Sequence, residues 1–571
     1  MAAHVFSIER HRELADSARR ALQKLGYDNV EIRHGDGTLG WAEHAPYDAI
    51  LVAAGGPEIP DTLRNQLKIG GRLIIPIGEY ESHQKLVKVT RDAEHSFHEE
   101  ELESVTFVPL IGSGGWSETG HDATPTFAKT WPPKLPSLAR SAAHVLRSAA
   151  RPLPDIDDAH FGAMFDTFAE ARVILLGEAT HGTSEFYRAR AQITRRLIEH
   201  HGFNIVAVEA DWPDAAQIDR YVRHKSIHVG SSEAFRRFPQ WMWRNVEVAN
   251  FVDWLRVHNG ASPPDTQTGF FGLDIYNMTA SIGAVIAYLD RVDPKAARSA
   301  RERYGCLTPW QRDPATYGRA ALTTGYAKCE AAVLLVLRDL LDKQLKYELE
   351  DRDSFLDATQ NARLVASAER YYREMYYATA ESWNLRDRHM FDTLRHLMDW
   401  RGRNAKAVVW AHNSHVGNAA ATDMGRTREE TNIGQMCREH FGSDAMLIGF
   451  GTHHGTVAAA DDWDGPMMIK TVKPSHPESF ERLCHNTGLE RFVVDLRKGH
   501  HEALRAILMQ DHLERAIGVV YRPETELASH YFEAHLPEQF DGYVWFDETH
   551  AVTPLPTDIA RGGAETYPFG L

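Results

Sequence analysis

Residues 173–182 read VILLGEATHG. The run Val173 to Leu176 is branched and apolar without alternation, as in a strand covered on both faces. Gly177 and Gly182 bracket a tight turn that most residues resist. Apolar periodicity then resumes: Phe186, Ala189, Ile193 and Leu197 recur at helical spacing, predicting a helix over Ser184 to His200. Strand, turn and helix open a βαβ unit, so the chain reads as α/β with a parallel sheet.

Working outward, the same signature recurs. Apolar strand candidates are Ile205 to Val208, Phe270 to Leu273, Ala407 to Trp410, Met446 to Phe450, Phe492 to Val494, Ile517 to Tyr521 and Tyr543 to Phe546. Between residues 280 and 402 the pattern turns helical, predicting a long helical insertion between two halves of a sheet. Upstream, His4 to Ile8, a helix over Arg12 to Leu25, then Val30 to Arg33, Ala49 to Ala53 and Arg72 to Pro76 give a second βαβ pattern, again expected as one parallel sheet. Between the two lies GSGGWSETGHDATPTFAKTWPPKLPS, residues 112–137, rich in Gly, Ser, Thr and Pro and without apolar period. It reads as a linker. The expected organisation is therefore a domain over 1–111, a linker over 112–137 and a larger domain over 138–571. The acidic run His98 to Glu103 reads as a solvated face.

Composition bounds the function. The chain has 571 residues, enough for three or four domains at about 150 residues each. Apolar residues make up 43% and charged residues 25%, which is ordinary globular composition. The longest apolar candidate, Ala331 to Leu341, is broken by Arg338 and Asp339 and falls short of the ~20 residues of a membrane span. The N-terminus carries no basic and apolar leader pattern. With 63 Lys and Arg against 79 Asp and Glu, the net charge of −16 disfavours nucleic acid as a partner. Cys306, Cys329, Cys437 and Cys484 make no Cys-x-x-Cys pair, and four scattered cysteines suit a reducing cytoplasm.

Ligands of open α/β sheets bind beyond the carboxyl ends of the strands. Four of the expected strand ends carry titratable groups: Glu178 and His181 in the first, Glu209 in the second, Asp274 in the third, His412 and His415 in the fourth. If these strands share a sheet, the groups ring one cleft. His181 precedes a helix N-terminus, where the dipole favours the neutral imidazole. A neutral imidazole is a suitable general base at neutral pH. Glu178, three residues earlier, is placed to orient it or hold the attacking water. No Gly-x-Ser-x-Gly elbow accompanies the expected strands, so activated water is the simpler nucleophile. His412 and His415, with His181 and a carboxylate, also suit a Zn²⁺ or Mn²⁺ site, although no His-Glu-x-x-His occurs. The metal-free reading is preferred. Trp241, Met242 and Trp243 read as core, with an apolar ligand wall as the sharper alternative.

These residues carry a resemblance. The stretches GEATHGTSEFYRARAQITRRLIEHHGF (177–203), VAVEADW (206–212), WNLRDRHM (383–390), WAHNSH (410–415), IGFGTHHG (448–455), FVVDLR (492–497), YRPETELASHYF (521–532) and QFDGYVWFDETHAVTPL (539–555) resemble the erythromycin esterase family in order. The resemblance implies hydrolysis of a macrolide lactone without a bound metal. It implies His181 as general base, Glu178 as its companion, and Arg190, Glu209, His412 and His415 as site residues, with no cofactor. Water activated by His181 would attack, and Arg190 with His412 or His415 would stabilise the oxyanion.

Before the linker, VFSIERHRELADSARRALQKLGYDNVEIRHGDGTLGW (5–41), APYDAILVAAGGPEIP (45–60) and LKIGGRLIIPIG (67–78) resemble protein-L-isoaspartate O-methyltransferase. The resemblance implies a partial Rossmann-like sheet, with Glu9 at the ribose and Asp36 at the adenine of S-adenosylmethionine. It begins at the family's second strand; the first strand and its Gly-rich loop would lie before Met1. Residues 1–111 are therefore expected to be inactive as written, with methyl transfer the alternative function if the upstream region is restored. A non-catalytic protein that sequesters an apolar ligand is a further alternative.

Overall fold

The computed structural model describes residues 3–24, 26–80, 83–94, 96–105, 107–116, 136–226, 234–310, 317, 329–375 and 380–556. The chain divides into two compact units, Met1–Leu135 and Pro136–Leu571.

In the first unit, β1 (Val5–Glu9) and β2 (Val30–His34) pair in parallel and are joined by the helix Arg12–Lys24. A separate sheet holds β3 (Tyr47–Leu51), β4 (Leu67–Tyr80), β5 (His83–Ala93) and β6 (Ser96–Val105) in that order. Only β3 and β4 are parallel; β4, β5 and β6 form an antiparallel meander. This corrects the expectation of one parallel sheet. The charged strands β5 and β6 escaped the apolar reading because one of their faces meets water. Val87 and Val89 point into a core with Leu63, Leu67, Leu73 and Ile75. The acidic run His98 to Glu103 lies in β6, where Glu100 pairs with Lys88 and Glu101 with Lys85 across the ladder. Charge on an edge strand discourages pairing with other chains.

Of the stretch expected as a linker, Gly112 to Trp116 is tied into the first unit: Ser113 N–H donates to Asp36 and the Trp116 indole to the Gly55 carbonyl. Pro136 and Ser137 open the helix Pro136–Ala149. Residues 117–135 lie outside the described residues.

The second unit is built on a nine-stranded sheet. In chain order its strands are β7 (Arg151–Pro152), β8 (Val173–Leu176), β9 (Ile205–Asp211), β10 (Gly269–Asp274), β11 (Ala407–Trp410), β12 (Ala445–Ala459), β13 (Met468–Val472), β14 (Arg491–Asp495) and, later, the strand Gly542–Thr549. The spatial order is β10-β9-β11-β8-β12, then Gly542–Thr549, β14 and β7, with β13 paired to β12. From β10 through Gly542–Thr549 all neighbours are parallel. Side chains alternate between two cores: Val173 and Leu175 enter one, Ile174 and Leu176 the other. Both faces are buried, which is why the sequence shows apolar runs rather than alternation.

The helical stretch after β10 comprises Met278–Val292, Pro294–Tyr304, Glu330–Asp342, Gln344–Glu374 and Glu381–Arg401. It returns the chain to β11, which lies between β8 and β9. Cys306 and Cys329 are joined by a disulfide, a link that the reading of four scattered cysteines did not anticipate. Ile517 to Tyr521, expected as a strand, makes only isolated bridges. It is apolar because Ile517 is buried against the 177–182 turn, donating to the Ala179 carbonyl and accepting from the His181 N–H. Among the described residues no helix is long and apolar enough to cross a membrane.

Candidate active site

Leu176, Trp410 and Val208 stand in register across β8, β11 and β9. The residues that follow each strand therefore emerge side by side. The turn after β8 is packed too closely for side chains at its ends. A Cβ at Gly177 would lie 2.1 Å from Asn413 Oδ1, and one at Gly182, with φ +73°, 2.4 Å from the Ala458 carbonyl oxygen. Asn413 N–H donates to the Glu178 carbonyl at 2.8 Å, tying the turn to the segment after β11.

Glu178, His181 and Arg190 are buried together. Glu178 Oε1 lies 2.7 Å from His181 Nδ1, and Oε2 accepts from Arg190 Nη2 at 2.7 Å. An ionised carboxylate only accepts, so Nδ1 carries the proton and Nε2 presents its lone pair. Nε2 makes no hydrogen bond to the described residues. The rings of His181 and His412 lie 4.8 Å apart at 55°.

His412 caps the short helix Asn413–Val416. Its Nδ1 accepts from the Ser414 N–H at 3.2 Å and lies 2.8 Å from Ser414 Oγ. Burial, then the neighbouring His181, push its pKa well below 6.5, so the ring is neutral. With Nδ1 accepting, the proton sits on Nε2, which is buried beside the Ala179 carbonyl without a hydrogen bond of good geometry.

His415 is different, because both its nitrogens are engaged. Nδ1 lies 2.9 Å from each oxygen of Asp387, and Nε2 lies 3.0 Å from Arg386 Nη1 and 3.4 Å from Glu209 Oε1. Trp383 stacks on the ring at 4.6 Å and 6°. Burial lowers its pKa, but the Asp387 and Glu209 carboxylates outweigh that and hold it above the ordinary value.

Glu209 joins the two halves. Oε1 accepts from Arg386 Nη2 at 2.7 Å and Oε2 from the His412 N–H at 2.9 Å. Burial raises its pKa, yet His415, Arg386 and His181 together hold the carboxyl well below the usual range. Arg386 also grips Asp274 in bidentate fashion, at 3.0 and 2.7 Å. Arg386 and Asp387 belong to the helix Glu381–Arg401, and sequence reasoning gave them no role. The signal was there: an Arg-Asp pair beside Leu385 and Met390 on a face that the structure buries. Trp241, Met242 and Trp243 are core, and Trp243 Nε1 donates to the Glu209 carbonyl at 2.8 Å.

The structure thus brings Glu178, His181, Arg190, Glu209, Asp274, His412 and His415 into one connected cluster. Among the described residues no group of three His, Cys, Asp or Glu is arranged to hold a metal ion.

Glu9 and Asp36 belong to the first unit. Asp36 Oδ1 accepts from Thr38 N and Oγ1, and Oδ2 from Ser113 N and Oγ. Those four donors fill the roughly four acceptor positions of a carboxylate. Glu9 spends Oε1 on the His11 N–H. As arranged, Asp36 has no acceptor position left for an adenine, while Glu9 keeps Oε2 for a ribose hydroxyl.

Comparison with known proteins matches the two parts of the chain to different families. Residues 198–549 match the family described as erythromycin esterase, and residues 1–115 that of protein-L-isoaspartate(D-aspartate) O-methyltransferase. The first segment is 55% identical over 112 residues to protein-L-isoaspartate O-methyltransferase 2 of Pelobacter propionicus, covering 20% of this chain and 50% of that protein. It is 51% identical over 118 residues to the enzyme of Rhodopseudomonas palustris, covering 21% and 54%. The chain thus spans about half the length of the curated relatives it matches. Among solved structures, a succinoglycan biosynthesis protein aligns with TM-score 0.62 and 20% identity over 73% of this chain and 99% of that one. A Bacillus cereus protein aligns equally well, with the same score, identity and coverage. A variant of an erythromycin esterase in its open conformation aligns with TM-score 0.52 and 16% identity, over 70% and 98%. At such identities these three show the fold.

Proposed function

The chain belongs to the erythromycin esterase family, and from that premise we propose that its second unit opens an ester or lactone of a small molecule, of the macrolide type, with water activated at His181. The observation that carries this is the asymmetry of one ring. Glu178 holds His181 Nδ1–H, while Nε2 is left without a hydrogen-bond partner in the same cluster.

In this mechanism His181 Nε2 takes a proton from water as the water oxygen bonds to the ester carbonyl carbon. The carbonyl oxygen becomes an oxyanion, and the neutral His412 offers its Nε2–H to it. His415 has no nitrogen to spare and serves to hold Glu209. When the tetrahedral intermediate collapses, the carbon–oxygen bond to the leaving alcohol breaks. The imidazolium of His181 gives its proton to the leaving oxygen. Glu178 keeps the ring in its reactive tautomer and stabilises the imidazolium, as a buried carboxylate does in a Ser-His-Asp triad. Arg190 balances the Glu178 charge.

The first unit is not assigned methyl transfer, because its Asp36 spends every acceptor position on Thr38 and Ser113.

The test is mass spectrometry of the purified chain incubated with a macrolide panel and simple lactones in the presence of chelator. The expected product is heavier by one water. No product with any of them, with or without added Zn²⁺ or Mn²⁺, overturns the reading.

A further inference from the structure

β8 stops at Leu176, opposite Ile448 of β12, and the Gly177 N–H donates to the Ile448 carbonyl. β12 runs on past that point. The next backbone pair on this side belongs to Phe450, and the side chain of Asn413 takes it. Oδ1 accepts from the Phe450 N–H at 3.2 Å, and Nδ2 donates to the Phe450 carbonyl at 2.8 Å. The amide thus stands where a further strand residue would. The Asn413 backbone N–H donates to the Glu178 carbonyl at 2.8 Å. Asn413 therefore ties the turn that carries Glu178 and His181 to β12.

One hydrogen of the Asn413 amide remains, and Glu514 Oε1 accepts it at 3.0 Å. Glu514 lies in the short strand His512–Arg515 and is fully buried. Among the described residues no cation pairs with it. Arg515, next in the chain, is turned to Glu526 and to the carbonyls of Thr452, His453 and Lys473. The Glu481 carboxyl acts on Glu514 from the helix Phe480–His485. Cys484 and Tyr543 face the Glu481 carboxyl, and burial keeps both protonated. The Gln539 side chain lies against Glu514. Glu514 Oε2 and Gln539 Oε1 are both buried without a hydrogen-bond partner of good geometry. A proton on Glu514 is the donor that such oxygens lack. Burial, then the Glu481 charge, hold the Glu514 carboxyl well above the usual carboxylate range, so it is a neutral acid.

We propose that Glu514 is a positioning residue of the active site: it fixes the Asn413 amide, which in turn holds the Glu178–His181 turn against β12. Glu514 touches no reacting atom and transfers no proton in the reaction. This inference rests on the esterase reading and deepens it.

Glu514→Met keeps the length of the side chain and removes the acceptor for Asn413. With the macrolide or lactone that the wild type opens, its kcat is expected to fall by about 10²-fold, the loss that a shift of ~1 Å at a reacting group brings. KM should change little. Glu514→Gln still accepts from Asn413 through its amide oxygen, and should restore kcat to within a few-fold of the wild type. Unchanged kcat in Glu514→Met overturns the inference and leaves the esterase reading standing. So does a kcat in Glu514→Gln as low as in Glu514→Met. Where Glu514→Met does not fold, Glu514→Asp draws the acid back from Asn413 by one methylene and should lose kcat likewise; an unchanged value overturns the inference. Unfolding tests the neutral acid separately. Glu514 is ionised in the unfolded chain above about pH 4.5 and neutral in the fold, so the wild type releases one more proton on unfolding than Glu514→Gln does. Its unfolding constant should therefore rise tenfold per pH unit relative to that variant between pH 6 and 7. Equal pH dependence in the two overturns the neutral acid. A wild type that opens nothing overturns the esterase reading and this inference with it.

Discussion

Arg386 closes off His415: its Nη1 lies 3.0 Å from the imidazole Nε2, while its other nitrogens reach Asp274 and Glu209. One guanidinium thus pairs with two buried carboxylates and occupies a histidine's second nitrogen. Removing it strands Asp274 and Glu209 in a buried site. Arg386→Ala is expected to destabilise the second unit by about 3–5 kcal/mol. Urea unfolding monitored by circular dichroism reads this, and an unshifted midpoint would refute it.

His412 and His415 should fail in different ways. His412→Asn keeps an acceptor for the Ser414 N–H, a role Asn fills well at a helix N-cap, but loses Nε2–H. Its kcat should drop by about 10²–10³-fold with little change in unfolding midpoint. His415→Ala instead leaves Asp387 and Glu209 short of a buried partner, so its midpoint should fall first. The reverse pattern would exchange the two roles.

His181→Ala should lower kcat by at least about 10²–10⁴-fold, the usual share of a general base. Its circular dichroism should match that of the wild type. Glu178→Gln should cost activity too, because an amide cannot balance an imidazolium, and it should also lower the melting temperature by leaving Arg190 uncompensated. Full turnover in His181→Ala would take this residue out of the chemistry.

Acid should weaken the fold in advance of ordinary carboxylate titration. Burial pushes His389, His396 and His530 down to about 4 and His453 to about 3. These rings are neutral when folded and take protons once unfolded, below about pH 6.5. Unfolding then binds protons, so stability falls as the pH drops from about 6.5 towards 4. His415 has the opposite sign, because its raised pKa contributes stability at low pH that is lost as the pH rises through that value. His412 and His476 act in the same direction as the four depressed rings. Burial lifts the Asp211 and Glu430 carboxyls to about 7 and Glu514 well above its ordinary value, which opposes them alongside His415, and the six rings are expected to outweigh that opposition. Calorimetric melting at pH 5 and pH 7 checks it, and an equal or higher melting temperature at pH 5 would contradict it.

The first unit should give no saturable heat with S-adenosylmethionine in isothermal titration calorimetry, because the Asp36 acceptors are already filled. Clear saturable binding would show that Ser113 and Thr38 yield their bonds to the ligand.

Much of the fold was legible in the chain. Val173–Leu176 and Ala407–Trp410 are strands over the very residues whose apolar run announced them. Strands covered on both faces write their burial directly into composition. The β5 and β6 strands were not legible, because Lys85, Lys88, Glu100 and Glu101 face each other across an exposed ladder and carry no apolar run. Ile517 misled for the opposite reason, being apolar to pack on the 177–182 turn rather than to join a sheet.

The α/β class, the places where strands end and the residue types waiting there were all legible along the chain: Glu178, His181, Glu209, Asp274, His412 and His415. Those follow from spacing along the chain, which local burial and turn chemistry control. Which imidazole nitrogens remain unspent was set by packing between distant segments. His412 and His415 are three residues apart and look equivalent in sequence. They differ because Arg386 and Asp387, carried in on a helix beyond β10, occupy both nitrogens of one ring and neither of the other. Hydrogen-bond occupancy depends on what the folded chain brings within about 3 Å, and spacing along the sequence carries no record of it.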